Sequence, residues 1–167
     1  MGDSISSCFF IGHRDAEETV FPKLSESVEQ HIVEYGVTEF FVGHYGKFDA
    51  LAAHTVKDAK KRHPEVTLTL LLPYHPFDRP TLIPKGFDST FYPPGMETVP
   101  KKIAIVRANR YMVDTCDFLI AYVWHPGSNA LELTDYARRK GKPHIAYLPR
   151  EVKHQIITQK FDEILLR

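Results

Sequence analysis

Four short polar clusters each follow directly on an apolar run: Gly12-His13-Arg14, Gly43-His44-Tyr45, Pro73-Tyr74-His75 and Trp124-His125-Pro126-Gly127. Between them they collect glycines, four of the nine histidines, and Tyr45, Tyr74 and Trp124. Aromatic rings beside cationic and amide groups suit a nucleobase with a phosphate, through stacking, charge-assisted hydrogen bonds and close backbone approach. The fourth cluster runs on through Ser128 and Asn129 into a helical pattern. Free N–H groups and the helix dipole at such a point favour an anion, which would rest on Gly127, Ser128 and Asn129. The same turn reads equally as a simple cap, with Ser128 or Asn129 as N-cap. Arg14, Lys47, Arg107 and Arg110 are the cations expected to face the anion. A metal is the competing use of histidine. There is no HxH or HxxxH pair and no carboxylate at ligand spacing beside the histidines, so neither metal nor cofactor is expected.

The elements that must hold these clusters alternate along the chain. Apolar runs at 6–11, 39–42, 66–72, 118–123 and 143–148 read as strands buried on both faces of a parallel sheet. Helical spacing appears at 20–35, 51–62, 101–115 and 130–140, with Gly36 and Gly141 placed to end two of these helices. The helix at 101–115 turns Ile103, Val106, Met112 and Val113 inward and clusters Arg107, Asn109 and Arg110. Alternation of this kind predicts an α/β fold, a Rossmann-like, mostly parallel sheet of five or more strands with helices on both faces. In such sheets ligands bind beyond the carboxyl ends of the strands, which is where all four clusters fall. Residues 73–100 break the rhythm with seven of the twelve prolines, and read as a long crossover or lid loop in which 88–92 forms a short extra strand. Residues 151–167 carry Val152, Ile156, Ile157, Phe161, Ile164 and Leu165 at amphipathic helical spacing, to close the sheet or pack on a partner subunit.

A length of 167 residues predicts one domain with a real core, spanning 1–167. Lysine plus arginine equals aspartate plus glutamate at 21 each, which argues against a duplex-DNA binder and makes nucleic acid an unlikely partner. No stretch approaches the roughly 20 apolar residues of a membrane span, and the N-terminus lacks a basic-then-apolar leader pattern. The two cysteines, Cys8 and Cys116, sit beside expected strands, as two buried thiols of a cytoplasmic protein would.

Several segments together carry a resemblance: Cys8-Phe-Phe-Ile-Gly-His-Arg14, Phe41-Val-Gly43 with Phe48-Asp49 and Leu51-Ala-Ala53, Asn109-Arg-Tyr-Met-Val-Asp114, and Phe118-Leu-Ile-Ala121 with Tyr136-Ala137. They resemble the small uncharacterised proteins of the SLOG superfamily, a Rossmann-like group that includes the Smf DNA-processing proteins and the "lonely guy" phosphoribohydrolases. The resemblance implies a pocket for a nucleotide or nucleotide-derived ligand, with Asp49 and Asn109 joining Gly12, His13, Arg14 and Gly43 around it. The phosphoribohydrolase motif, laid on Pro126, puts Thr134 where the catalytic glutamate belongs, and the catalytic arginine falls on Ala108. Asn129-Ala-Leu-Glu132-Leu followed by Gly141-Lys-Pro143 is also similar to nucleoside 2-deoxyribosyltransferases, which implies Glu132 as a nucleophile. Glu132 stands in the first turn of its helix, where the dipole keeps a carboxylate ionised; a plain helix-terminal glutamate would stand there too.

Two functions follow. One is a sensor or binding module for a nucleotide-derived small molecule, in a homodimer or higher homo-oligomer. The other is an enzyme that hydrolyses or exchanges an N-glycosidic bond, with Glu132 as catalytic carboxylate and Asp49 or Asp114 in support. Ala108 and Thr134 at the two phosphoribohydrolase positions favour the first, and whether the protein is an enzyme stays open.

Overall fold

Strand β1 (Ser7–Gly12) is the centre of the fold, and its residue pattern explains why. Cys8 and Phe10 pack into one apolar cluster and Phe9 and Ile11 into a second on the opposite side. A strand apolar on both faces must be covered on both faces. In the computed structural model, which describes residues 5–150, helices α1 (Phe21–Val33) and α2 (Lys47–Lys60) cover one face and α3 (Ala104–Thr115) and α4 (Asn129–Lys140) the other. The remaining strands are β2 (Glu39–Val42), β3 (Thr67–Leu71), β4 (Ser89–Phe91), β5 (Phe118–Tyr122) and β6 (His144–Tyr147). All six lie parallel in the order β4-β3-β2-β1-β5-β6. The expected Rossmann-like α/β sheet is therefore present, and the 88–92 segment supplies its extra edge strand.

The order reverses at β1. From β1 the chain steps outward to β4, then returns through α3 and places β5 on the other side of β1, with Gly12 opposite Tyr122. Loops leaving two such neighbours diverge to opposite faces and leave a crevice between them. The Gly12 and Gly127 turns thus share one rim.

Three local expectations are corrected. Helix α2 begins at Lys47, four residues earlier than the apolar spacing suggests, because Phe48 is buried beneath the end of β1 and draws the Lys47–Asp49 turn into the helix. Residues 101–103 form a separate 3-10 turn before α3, which rotates Ile103 out to solvent; Ala104, Ala108, Met112 and Val113 face the core. Arg107 and Asn109 are two positions apart, roughly 200° around a helix, so Arg107, Asn109 and Arg110 do not form one cluster. Cys8 and Cys116 are both buried and unpaired, and burial pushes the Cys116 thiol up to about 12. The amphipathic segment 151–167 lies outside the described residues. Among the described residues no helix is long and apolar enough to cross a membrane.

Candidate functional site

A cavity of about 460 Å³ opens in the crevice at the carboxyl ends of β1 and β5. The end of β1 supplies Gly12, His13 and Arg14, and the β2–α2 connection Tyr45, Gly46 and Asp49. The 3-10 turn before α3 adds Lys102, α3 itself adds Ile105, Val106 and Asn109, and the start of α4 adds Ser128, Asn129, Ala130 and Leu133. Apolar side chains wall one part of the space, and cations, amides and one carboxylate the rest.

Glycines let these segments come together. A methyl group on Gly12 would enter the ring of Phe48, so the bare end of β1 is what seats the first turn of α2. A Cβ on Gly46 would lie 2.7 Å from Arg14 Cα, and Lys47 N–H donates to the Arg14 carbonyl at 3.0 Å. The β1–α1 and β2–α2 loops are therefore in direct backbone contact. A Cβ on Gly43 would lie 2.9 Å from Asp49 Oδ2, so the carboxyl group rests on the end of β2. Asp49 accepts one hydrogen bond, from Tyr45 N–H at 3.1 Å. Burial outweighs that bond and the Arg14 charge and raises its pKa to about 6. Asp49 is thus a carboxyl group facing a cavity and holding its proton to higher pH than an ordinary aspartate.

Arg14 is exposed on the cavity wall, and neither it nor Lys102 forms a salt bridge among the described residues. Lys47 points elsewhere and pairs with Glu18 at 3.6 Å. Arg107 and Arg110 line a different groove with Gly95, Tyr111 and Asp114. There Arg110 covers the Tyr136 ring at 4.5 Å, while Asp114 accepts from Tyr136 Oη at 2.7 Å and pairs with Lys140 at 2.6 Å. Asp114 is therefore occupied in joining α3 to α4.

The turn from β5 to α4 is tied down from both sides. His13, buried at the end of β1, accepts the backbone N–H of Trp124 at 2.8 Å and of His125 at 3.1 Å on Nε2. Its ring lies against Trp124 and His125, with centroids 4.3 and 4.4 Å apart. His125 reaches Asp15 at 3.2 Å, and Arg150 covers the Trp124 ring at 4.5 Å. Ser128 is the N-cap of α4: its Oγ donates to the His125 carbonyl at 2.9 Å and accepts from Leu131 N–H at 3.2 Å. Gly127, at φ 70°, makes the left-handed turn before it.

Of the thirteen residues singled out from the sequence, seven line the cavity: Gly12, His13, Arg14, Asp49, Asn109, Ser128 and Asn129. Gly43 backs Asp49, and Gly127 shapes the turn. Lys47, Arg107, Arg110 and Glu132 do not line it, and Glu132 is exposed on α4. Sequence reasoning missed Lys102, Ile105 and Val106, although their i, i+3, i+4 spacing from 102 is a helical face signal. No group of three or more His, Cys, Asp or Glu side chains that could hold a metal ion occurs among the described residues.

No family model matches this sequence, and no curated protein matches it either. Among solved structures, the X-ray structure of DNA processing protein A (DprA) from Streptococcus pneumoniae is similar over 93% of this chain, with a TM-score of 0.64 and 16% identity. The match covers 56% of the DprA chain, so this protein corresponds to little more than half of it. At that identity the likeness is one of fold, and the fold that the β1/β5 switch builds here is a DprA-like Rossmann fold.

Proposed function

We propose that this is a SLOG-type binding module that holds an anionic, nucleotide-derived small molecule in the β1/β5 cavity. The observation that carries this reading is the pair Arg14 and Lys102. Both are cations on the wall of one cavity, and neither forms a salt bridge among the described residues, although the Arg14 charge is felt by Asp49 on the same wall. Asn109 and Asn129 add amide donors and acceptors, and the apolar side of Ile105, Val106 and Leu133 offers a surface for a base. The DprA likeness supports the fold part of the reading, and the glycine-lined switch point is where such folds take ligands.

The test is a thermal-shift screen with AMP, ADP-ribose, a cyclic dinucleotide and a short single-stranded oligonucleotide. A ligand at a hundred times its dissociation constant adds about 2.7 kcal/mol of stability. Arg14→Ala and Lys102→Ala should each weaken the binding of a responding ligand by about 1.5–3 kcal/mol, the range of a charge-assisted hydrogen bond. No response to any nucleotide would sink the reading, and a response to the oligonucleotide alone would replace it.

One observation keeps the enzymatic reading alive. Asp49 lies on the cavity with its pKa raised to about 6, in the range where a carboxyl group can both take and give a proton. In that reading Asp49 carries the acid–base work and Glu132, exposed outside the cavity, does not. Chromatographic release of free base from nucleoside monophosphates, abolished by Asp49→Asn and untouched by Glu132→Gln, would decide for it.

A further inference from the structure

The sequence marks His13 as a ligand-binding residue; it lines the cavity, and its bonds give it a further task. Two backbone N–H groups, from Trp124 and His125, converge on the single nitrogen Nε2 at 2.8 and 3.1 Å. A nitrogen can accept both only with its lone pair free. The neutral ring must then carry its proton on Nδ1. These two bonds join the end of β1 to the turn after β5, across the mouth of the crevice. From that turn, Ser128 caps α4 through the His125 carbonyl, and Ser128, Asn129 and Ala130 go on to line the cavity.

We propose that His13 is a proton-operated latch on the cavity. Neutral, it pins the β5–α4 turn against β1; doubly protonated, it presents Nε2–H to two N–H donors and releases the turn. The proposal rests on the binding reading above for its consequence, since release would unseat Asn129 and Ala130 from the cavity wall.

The surroundings favour the neutral form. Burial is the largest influence holding the His13 pKa below its ordinary 6.5, and His125 lowers it further. Asp15 acts in the opposite direction, and Arg150 again lowers it. These groups are the charged and titratable neighbours from the segments packed on the ring. Asp15 follows β1, His125 belongs to the turn itself, and Arg150 follows β6. Because the folded pKa lies below the unfolded one, the latch is complete above pH 6.5 and is lost as the pH falls through the lower, folded value.

The test uses the full chain with His13→Gln and His13→Leu. Glutamine places an uncharged acceptor, Oε1, about where Nε2 stands, whereas leucine keeps bulk and removes the acceptor. Ring ¹⁵N shifts at pH 7.5 should report His13 protonated on Nδ1 alone. Amide exchange, corrected for its intrinsic pH dependence, should show Trp124 and His125 at least tenfold less protected in wild type at pH 5 than at pH 7.5. His13→Gln should keep that protection at both pH values and His13→Leu at neither. AMP serves as the affinity probe. Its own phosphate titration is common to all variants, so a loss of affinity at pH 5 that is larger in wild type than in His13→Gln reads the latch. An Nε2–H tautomer, or protection of the two amides that ignores both pH and His13→Leu, would overturn the proposal. Amide results as expected without AMP binding would leave the latch standing and count against AMP alone, the binding reading failing only if every nucleotide in the screen fails with it.

Discussion

At the scale of single residues, Asp49 is the side chain whose environment works against it. Its folded pKa of about 6 lies above the ordinary aspartate value of 3.8, so between those values the folded state holds the proton more tightly. The sign follows directly: stability falls as the pH rises through that window, and the full penalty applies above it. Asp49→Asn should therefore raise the unfolding free energy at pH 7.5 by up to about 3 kcal/mol, two pKa units being worth that much. The gain should vanish near pH 3.5, as urea titrations at the two pH values would show. A gain of the same size at both would mean that packing, not ionisation, is responsible. The sequence marks Asp49 only through the resemblance of Phe48-Asp49 and its neighbours to a family; no local signal discloses its burial. Its burial depends on Gly43 and on the Tyr45 amide, contacts that exist only once β2 and α2 have met. His13 is similar: its neighbours Trp124 and His125 are more than a hundred residues away in sequence.

Among the elements, α4 was the most readable. Its apolar spacing, the serine before it and Gly141 after it are local signals, and the helix runs from Asn129 to Lys140 with Ser128 as N-cap and Gly141 left-handed at its end. The bland capping interpretation of the turn accounts for both functions of the Ser128 hydroxyl. Ser128→Ala should accordingly lower stability by about 1 kcal/mol, and Ser128→Asp, which can also cap, should recover most of it. Equilibrium unfolding of the two variants checks this; equal losses would remove the cap from the explanation. Strand β2 likewise falls where its apolar run predicts, at Glu39–Val42. Helix α2 was less readable, because the residue that extends it backward, Phe48, fills a space that another strand provides. Helix α3 shows the opposite error. Three polar residues close in sequence looked like one group, and the helical turn sends Asn109 to the cavity and Arg107 and Arg110 to another groove.

For the molecule as a whole, the alternating apolar runs disclose the parallel sheet, and the strand ends disclose the rim; the partition of the rim depends on contacts made only in the folded chain. The proline-rich connection between β3 and β4 contributes no side chain to the β1/β5 cavity. With Tyr74, His75 and Asp78 it lines a smaller space, opposite Tyr92 beyond β4, and it holds Phe77 and Leu82 in solvent, at 87% and 95% exposure. Brief chymotrypsin treatment should therefore cut first at Phe77 or Leu82 and leave the thermal response to the cavity ligand in place. Loss of that response on nicking would give this loop a part in binding. The interlocked glycines also bear on descent. Gly12 is bare because Phe48 occupies its side-chain space, and Gly46 because Arg14 does. Overpacking such a contact costs about 1–3 kcal/mol, so Gly12→Ala alone should be a damaged protein. With Phe48→Ala already in place, the two closest contacts, to the Phe48 ring, are gone, and the same methyl group should be tolerated better. Lineages can leave this arrangement only through position 48, so a side chain at position 12 should be met only where residue 48 is already small.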